Sequence, residues 1–300
     1  MKKVFEEILN ASKGEYGAGV LYAGAVGLIL SDIIPTPANA IYYYTEKRLR
    51  EKWKNGEITP EKYWKKTAMA HYLYSPMWWI LVLAVISIIY GAFLAIGAKD
   101  IKRLIAYTSI SHFGFITMGI FAMTSQAQSG AILYMFNHGF STAALFLVAG
   151  WMISRRGSST ISDFGGLQRV TPIMAWTFFL AGLSSLALPG LSSFVSEFLV
   201  LVGTFTRYPV HAIIATFGIV LAALYILIPV QKALHGPTTP GNENLKDLNL
   251  REKLAIAPVI AIIVVLGFYP APLLKVINPA ASHVITQMGF TDPAPTNGGK

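Results

Sequence analysis

Residues 171–205 read TPIMAWTFFLAGLSSLALPGLSSFVSEFLVLVGTF, from Thr171 to Phe205. The reading of this stretch decides the fold. It is apolar for about thirty residues and as one helix would run roughly 45 Å, well beyond a bilayer core of about 30 Å. Two features interrupt it. Leu188-Pro189-Gly190 is expected to break the helix, because proline lacks an N–H and glycine accepts almost any backbone angle. Glu197 follows, the only ionisable side chain between Arg169 and Arg207. Irregular backbone at membrane depth survives only where protein or a water-filled cavity satisfies it. A carboxylate there is costly and points to function. A broken helix that carries one acid is a pattern of transporters. The plainer alternative has Ser192 or Ser193 capping the second half-helix, with Glu197 a first-turn acid near its positive end.

Working outward, composition supports a membrane reading of the whole chain. Of 300 residues, 54% are hydrophobic and 13% charged, against about 25% charged in an ordinary globular protein. The apolar residues form blocks long enough to span, so the fold class is an all-α polytopic transmembrane helix bundle. The net charge of +9 sits in the loops between spans, where it sets orientation and does not signal nucleic acid. Cysteine is absent, which excludes disulfides, thiolate metal sites and a cysteine nucleophile.

Six spans are expected after Met77: Met77–Gly97, Leu104–Met123, Gly130–Met152, the broken Pro172–Gly203, His211–Ala233 and Leu254–Val276, the last bent by Pro270 and Pro272. The tail from Asn278 is rich in proline and glycine and is expected to be loose, so that 77–280 forms the bundle and 281–300 a tail. Residues 1–76 read differently. Tyr16–Leu30 is a short apolar run, either a short or re-entrant span or the apolar core of a secretory signal ending at Ala38-Asn39-Ala40. Glu6, Glu7 and Glu15 weigh against the signal. Lys47–Lys66 is basic and aromatic, and is expected to form helices on the membrane surface, with Thr59 as an N-cap and Pro60 at N1.

Two spans carry polar stripes. Tyr134, Asn137, His138, Ser141 and Thr142 follow i, i+3, i+4, i+7, i+8 on one helix face, and Thr108, Ser111 and His112 do so on the span before. A single histidine in a membrane helix is as often a packing residue as a functional one. Two adjacent stripes beside a broken helix with an acid favour a buried relay, with His138 the expected partner of Glu197. By parity, the loops holding Lys99, Lys102 and Arg103, then Arg155, Arg156 and Arg169, then Lys246, Arg251 and Lys253 share one side, which the positive-inside rule makes the cytoplasm. The same count puts the basic segment Lys47–Lys66 on the opposite side. Either Met77–Gly97 is mis-oriented, or Tyr16–Leu30 is not what it seems, or the first segment did not arise with the rest. Asp163-Phe164-Gly165 spells a kinase triplet but lacks its companion motifs. Ser184 and Ser185 have no nucleophile elbow, and no His pair has metal-ligand spacing. No catalytic, cofactor-binding or metal-binding residue is assigned.

The run IIYGAFLAIGAKDIKRLIAYTSISHFGF from Ile88, MFNHGFSTAALFLVAGWM from Met135, ISDFGGL from Ile161 and LALPGLSSFVSEFLVLVGTF from Leu186 resemble, in order, the antiporter-like subunits of respiratory complex I, NADH:quinone oxidoreductase. The similarity covers about Ile80 to Pro279, the last six of the family's fourteen spans. Glu197 stands where the subunit M branch (subunit 4 in mitochondria) has an acid and its sister subunits a lysine.

The resemblance implies a proton pathway through Glu197 as terminal exchanger and His138 as relay, with His112, Asn137, Ser141 and Ser111 holding water and Pro189 and Gly190 as the helix break. It implies a multi-pass protein of the cell (inner) membrane. Its partners would be the other membrane subunits and the lipid bilayer, with no cofactor in this chain and no nucleic acid. The family's lysine-bearing first half finds no match before Ile80, so the chain is expected to carry one of two half-channels. The alternatives are a subunit of a multisubunit cation/proton antiporter and a non-conducting scaffold or assembly remnant.

Overall fold

The computed structural model describes residues 47–52, 54–59, 62, 66 and 76–293. The expectations for Tyr16–Leu30 and for much of the basic segment lie outside them. The chain divides into two units, 1–83 and 84–300. In the first, residues 47–52 are helical, and the N–H groups of Asn55 and Glu57 donate to the carbonyls of Glu51 and Lys52 at 2.9 Å each. Gly56 supplies the left-handed residue of that turn, at φ 73. Thr59 Oγ1 accepts from the Lys62 N–H at 3.3 Å, the contact expected of an N-cap. Further on, Trp78 packs edge-on against Trp79 with ring centres 4.8 Å apart.

Helix α1, Pro76–Ile96, runs from the first unit into the second. It is followed by α2 (Ile101–Phe121), α3 (Ser125–Arg156), a 3-10 turn at Ile161–Asp163, α4 (Leu167–Val170), α5 (Pro172–Ser185), α6 (Ser192–Phe205), α7 (Pro209–Leu234), α8 (Leu250–Phe268) and α9 (Ala271–Gln287). Asp100 caps α2 by accepting from the Arg103 N–H at 2.9 Å, and Thr124 caps α3 by accepting from Ala127 N–H at 3.2 Å. Asn249 and Glu252 form a reciprocal capping box on α8. Gly157, at φ 75, closes α3 beyond Arg155 and Arg156. Among the described residues the only β-pairing is one antiparallel bridge, Asp100 to Thr160, and the fold is the expected all-α bundle.

Among the described residues four helices, at Met77–Ile96, Ile101–Phe121, Ser125–Arg156 and Pro209–Leu234, are long and apolar enough to cross a membrane. The pair α8 and α9, bent by 70°, makes a fifth if taken as one span. The remaining expected segment is the broken one, present as two 14-residue helices. Two boundaries move. Helix α9 continues to Gln287, so residues 281–287 are helix and not loose tail. Ile277, Ala281, Val284 and Ile285 are buried along its one apolar face, at i, i+4, i+7 and i+8. The break begins at Ser185, about one turn before the expected Leu188. Proline disfavours the α conformation at Leu188, and the helix ends ahead of it in a Schellman motif. The N–H groups of Ala187 and Leu188 return to Ser184 O and Leu183 O at 3.1 and 3.0 Å. Ala187 holds the left-handed position at φ 59.

The basic loops are knitted together at one end, as the parity argument expects. Ile101 N–H donates to Ser159 O at 2.9 Å and Ile161 N–H to Lys99 O at 2.8 Å. Asn242 reaches Asp163 O at 3.1 Å, so the Asp163-Phe164-Gly165 triplet is connecting structure. Arg155 pairs with Glu252 at 2.5 Å and donates to Lys246 O at 2.7 Å.

Candidate functional site

Helix α3 packs against α2, α5, α6, α8 and α9, and its register on α6 is fixed by small residues. A Cβ on Gly203 would stand 2.3 Å from Ala127 N, and one on Gly130 would stand 2.7 Å from Val200 N. Only glycine allows these backbones to approach so closely. Thr124 adds a lock by donating its hydroxyl to Gly203 O at 3.0 Å. With the register set, the polar stripe of α3 falls on the broken element.

Glu197 is 6% exposed and accepts from the Tyr134 hydroxyl at 2.8 Å. One turn on, Asn137 donates to Ser192 O at 2.7 Å and to Ser196 Oγ at 3.3 Å. Ser192 O lies in the first turn of α6, so the stripe ties the start of the resumed helix to α3 as well as holding the acid. Next along the face, Ser141 Oγ lies 2.6 Å from Ser184 Oγ and 3.2 Å from Ser193 Oγ, tying both half-helices to α3. Three buried polar atoms beside the break have no protein partner: Asn137 Oδ1, Ser185 Oγ and Ser192 Oγ. Such atoms inside an apolar bundle are the sort that ordered water satisfies.

The histidines form a second cluster. His112 Nδ1 lies 3.1 Å from His138 Nδ1, and its Nε2 lies 3.2 Å from the Tyr225 hydroxyl. Thr142 Oγ1 is 3.2 Å from His138 Nδ1. A bond between two Nδ1 atoms needs one protonated and one bare. The ring of His112 then donates on one side and accepts on the other. Reversing the direction of the Tyr225–His112–His138 chain requires both rings to change tautomer, a proton arriving at one nitrogen of each ring as one leaves the other. The His112 ring lies 5.9 Å from that of Tyr134, so the two clusters adjoin.

Five of the sequence-selected residues, Glu197, His138, His112, Asn137 and Ser141, come together in this buried band, with Pro189 and Gly190 in the break beside it. Ser111 stands at the edge of the band: its hydroxyl donates to Ile88 O at 2.9 Å, holding α1 to α2, and is hydrogen-bonded to the side chain of Tyr225. The expected pairing of His138 with Glu197 is corrected: Tyr134 holds the acid, and His138 is turned to His112 and Thr142. Tyr134 stands four positions before His138 and so shares its face, one turn nearer Glu197. The capping alternative is corrected as well. Leu191 is the N-cap of α6 without a side-chain bond, and Ser193 turns to Ser141. Glu197 lies in the second turn, with no acid in the first.

Residues that sequence reasoning missed are Tyr225, Ser184 and Ser185. Tyr225 is fully buried in α7. Its one signal is a hydroxyl in the run from Phe217 to Val230, which is otherwise apolar. Among the described residues no three His, Asp or Glu side chains converge as a metal site.

A family model described as NADH:quinone oxidoreductase/Mrp antiporter, TM matches residues 67–222, starting ahead of the boundary expected at 76. A curated NADH-quinone oxidoreductase subunit M from Mycobacterium tuberculosis is 54% identical over 217 residues, which is 72% of this chain and 39% of that protein. One from Rhodobacter capsulatus is 36% identical over 207 residues, 69% of this chain and 40% of that protein. The chain thus spans about two fifths of the length of these relatives. Among solved structures, respiratory complex I from Thermus thermophilus with bound NADH aligns at a TM-score of 0.68 and 30% identity, over 75% of this chain and 47% of that one. The Mrp complex from Dietzia sp. DQ12-45-1b aligns at 0.66 and 18% identity, over 74% of this chain and 52% of that one, a likeness of fold alone. With more than half of its residues matched by the model and a subunit M relative 54% identical over 72% of it, the chain belongs to the NADH:quinone oxidoreductase/Mrp antiporter transmembrane family.

Proposed function

We propose that this chain is a proton-translocating membrane subunit, carrying one half-channel, of a complex I type NADH:quinone oxidoreductase in the cell (inner) membrane. The observation that carries the reading is the buried Glu197–Tyr134 bond at a helix break. Asn137, Ser141, Ser184 and Ser193 continue from it, and the His112–His138–Tyr225 chain lies alongside. An acid so placed accepts and releases a proton without leaving the bundle, and the tyrosine hydroxyl holds it in one orientation. The serines, Asn137 and the histidines are spaced to pass the proton through short hydrogen-bonded steps. Redox chemistry belongs to other subunits in this reading. The chain contributes the path and not an electron-transfer centre, and its partners are the flanking membrane subunits and the lipid. Residues 77–280 form the conducting bundle, and 1–76 are a separate segment.

The test uses membrane vesicles containing the assembled complex, with NADH oxidation and proton uptake read together. Glu197→Gln keeps the acceptor for Tyr134 but carries no charge, and it should lower proton uptake per NADH by at least tenfold at this subunit, as loss of a positioned proton carrier does elsewhere. Tyr134→Phe should lower it less. Unchanged uptake in Glu197→Gln would leave the chain a scaffold. Robust sodium-driven proton exchange by the chain alone in liposomes would instead favour the antiporter reading, which the family's Mrp members motivate.

A further inference from the structure

The polar band stops on one side of Glu197. Toward the basic loops it runs on through Asn137, Ser141 and the serines of the break. Toward the opposite end, where α3 starts and α6 finishes, the next turn of α6 presents Val200, at i+3 from Glu197 and fully buried. Helices α2, α3 and α6 meet there through small residues. A Cβ on Gly119 of α2 would stand 2.9 Å from Val200 Cγ2, from Ala131 Cβ and from Ala127 O. A Cβ on Gly130 of α3 would stand 2.7 Å from Val200 N. These separations are well inside ordinary van der Waals contact, so neither glycine leaves room for a methyl group or a water molecule.

Polar groups resume one turn further on. Thr204, at i+7 from Glu197 and so on the same face of α6, is fully buried, and its hydroxyl oxygen has no protein partner. On α3 the buried Gln128 likewise carries an unpartnered Oε1. These two residues directly follow Gly203 and Ala127, which touch. Each helix therefore holds, beyond Val200, a buried oxygen of the sort that water satisfies. Packing alone does not ask for this. Valine at position 204 would fill the same shape without an unpaired oxygen. A thin apolar layer thus lies between two polar ones on the same pair of helices.

We propose that Val200 is a gate in the proton path, shut in this conformation, and that Thr204 and Gln128 serve the path on its far side when the gate opens. The proposal rests on the reading of Glu197 as the proton carrier. With the gate shut, Glu197 exchanges protons only with the groups around the break. An apolar constriction of this kind opens by wetting, with no bond to break. A slight parting of α3 from α6 then lets water join Glu197 to Thr204. One shut layer beside the carrier keeps a proton from crossing the chain until the helices move.

The test uses membrane vesicles holding the assembled complex, without NADH, and reads proton entry driven by a potassium diffusion potential. Val200→Thr keeps the shape and adds a hydroxyl to the layer. It should raise the passive proton leak about tenfold, the change in rate that one new hydrogen bond to a crossing water gives. Val200→Ala, which thins the layer, should leak too. Adding Glu197→Gln to either should return the leak to the level of the unaltered complex. Thr204→Val should leave the membrane tight and lose part of the NADH-driven proton uptake. A membrane that stays tight in both Val200 variants would overturn the gate, as would a leak that survives Glu197→Gln. Thr204→Val alters no packed volume and decides if neither Val200 variant assembles, full NADH-driven uptake there counting against the path beyond Val200. Glu197 itself is judged apart, by NADH-driven uptake in the single variant Glu197→Gln. Uptake lost in that variant, with both Val200 variants tight, refutes the gate alone.

Discussion

Two proline-bearing breaks interrupt this bundle, and they differ in what surrounds them. Between α5 and α6 the chain leaves the helix at Ser185 and resumes at Ser192. The Ser192 carbonyl, at the start of the resumed helix, accepts a bond from Asn137 of another helix, and the flanking serines are buried. Between α8 and α9 it turns by 70° at Tyr269-Pro270, and the backbone closes on itself. Tyr269 N–H donates to Val265 O at 2.7 Å, and Leu273 and Leu274 N–H to Pro270 O at 3.1 and 3.0 Å. Phe268 and Tyr269 there are 77% and 60% exposed. Proline alone thus does not mark a functional break. The mark is a polar stripe on a neighbouring helix that bonds to both sides of the break. The two sites touch, since a Cβ on Gly267 would stand 2.2 Å from Gly190 O, so the outer turn braces the inner break.

The comparison is broken most severely by losing the register that brings stripe and break together. Gly203→Val adds two methyls and a Cβ where Ala127 N already stands, and the helices must part. A loss of about 3 kcal/mol is expected from such overpacking. Thermal unfolding in detergent should show it, and a Tyr134–Glu197 contact that survived in the variant would argue against register control by Gly203.

A direct contrast between the breaks comes next. Asn137→Leu removes the bonds to Ser192 O and Ser196 Oγ that tie the break to α3 and should destabilise by about 2 kcal/mol. Pro270→Ala, where the backbone is locally satisfied and exposed, should stay within about 0.5 kcal/mol. Equal losses at both positions would erase the distinction. A smaller effect of opposite sign is expected at Ala187. Its left-handed backbone strains any residue with a Cβ, so Ala187→Gly should stabilise by up to ~1 kcal/mol, less the extra entropy that glycine loses on folding. A destabilised variant would mean that Ala187 matters more through packing than through its backbone angle.

Much of the architecture could be read from the chain itself, because membrane spans announce themselves by length and a stripe by its period. Glu197, His112 and His138 stand out for the same reason: charge and imidazole are rare in apolar runs. Tyr225 and the serines Ser184 and Ser185 did not, since hydroxyls occur throughout membrane helices and only three-dimensional pairing tells which are engaged. The sequence points to His138 and not Tyr134 as the partner of Glu197 because the stripe gives a face and not a height. The close approaches of Gly130 to Val200 and of Gly203 to Ala127, invisible in either helix alone, set which turn of α3 meets the acid. Helix α9 was underestimated for a different reason. Pro270, Pro272 and Pro279 suggest a loose tail, but Pro270 is the N-cap of α9, Pro272 lies in its first turn, and Pro279 lies off its buried face.

The smallest effect is expected outside the membrane, at the clasp where Asp100 caps α2. The hydroxyl of Ser159 donates to Asp100 Oδ2 while Arg103 N–H donates to Oδ1 at 2.9 Å. The Ser159 bond chiefly, helped by the backbone bonds, holds the Asp100 carboxyl below its ordinary value of 3.8. A carboxyl whose value is lowered by folding lends stability that is present in full above its unfolded value. The stability is lost as pH falls through the lower folded value. The bridge from Asp100 to Thr160 should therefore hold unchanged through neutral and mildly acid pH and loosen only below about pH 4. Asp100→Asn, which keeps an acceptor but no charge, should remove that acid-limb dependence at a cost of under about 1 kcal/mol at neutral pH. Hydrogen exchange at the amides of Ile101, Arg103 and Ile161 would read it. Exchange that rises already between pH 7 and 5, or a pH dependence that persists in Asp100→Asn, would assign the clasp to a group other than Asp100.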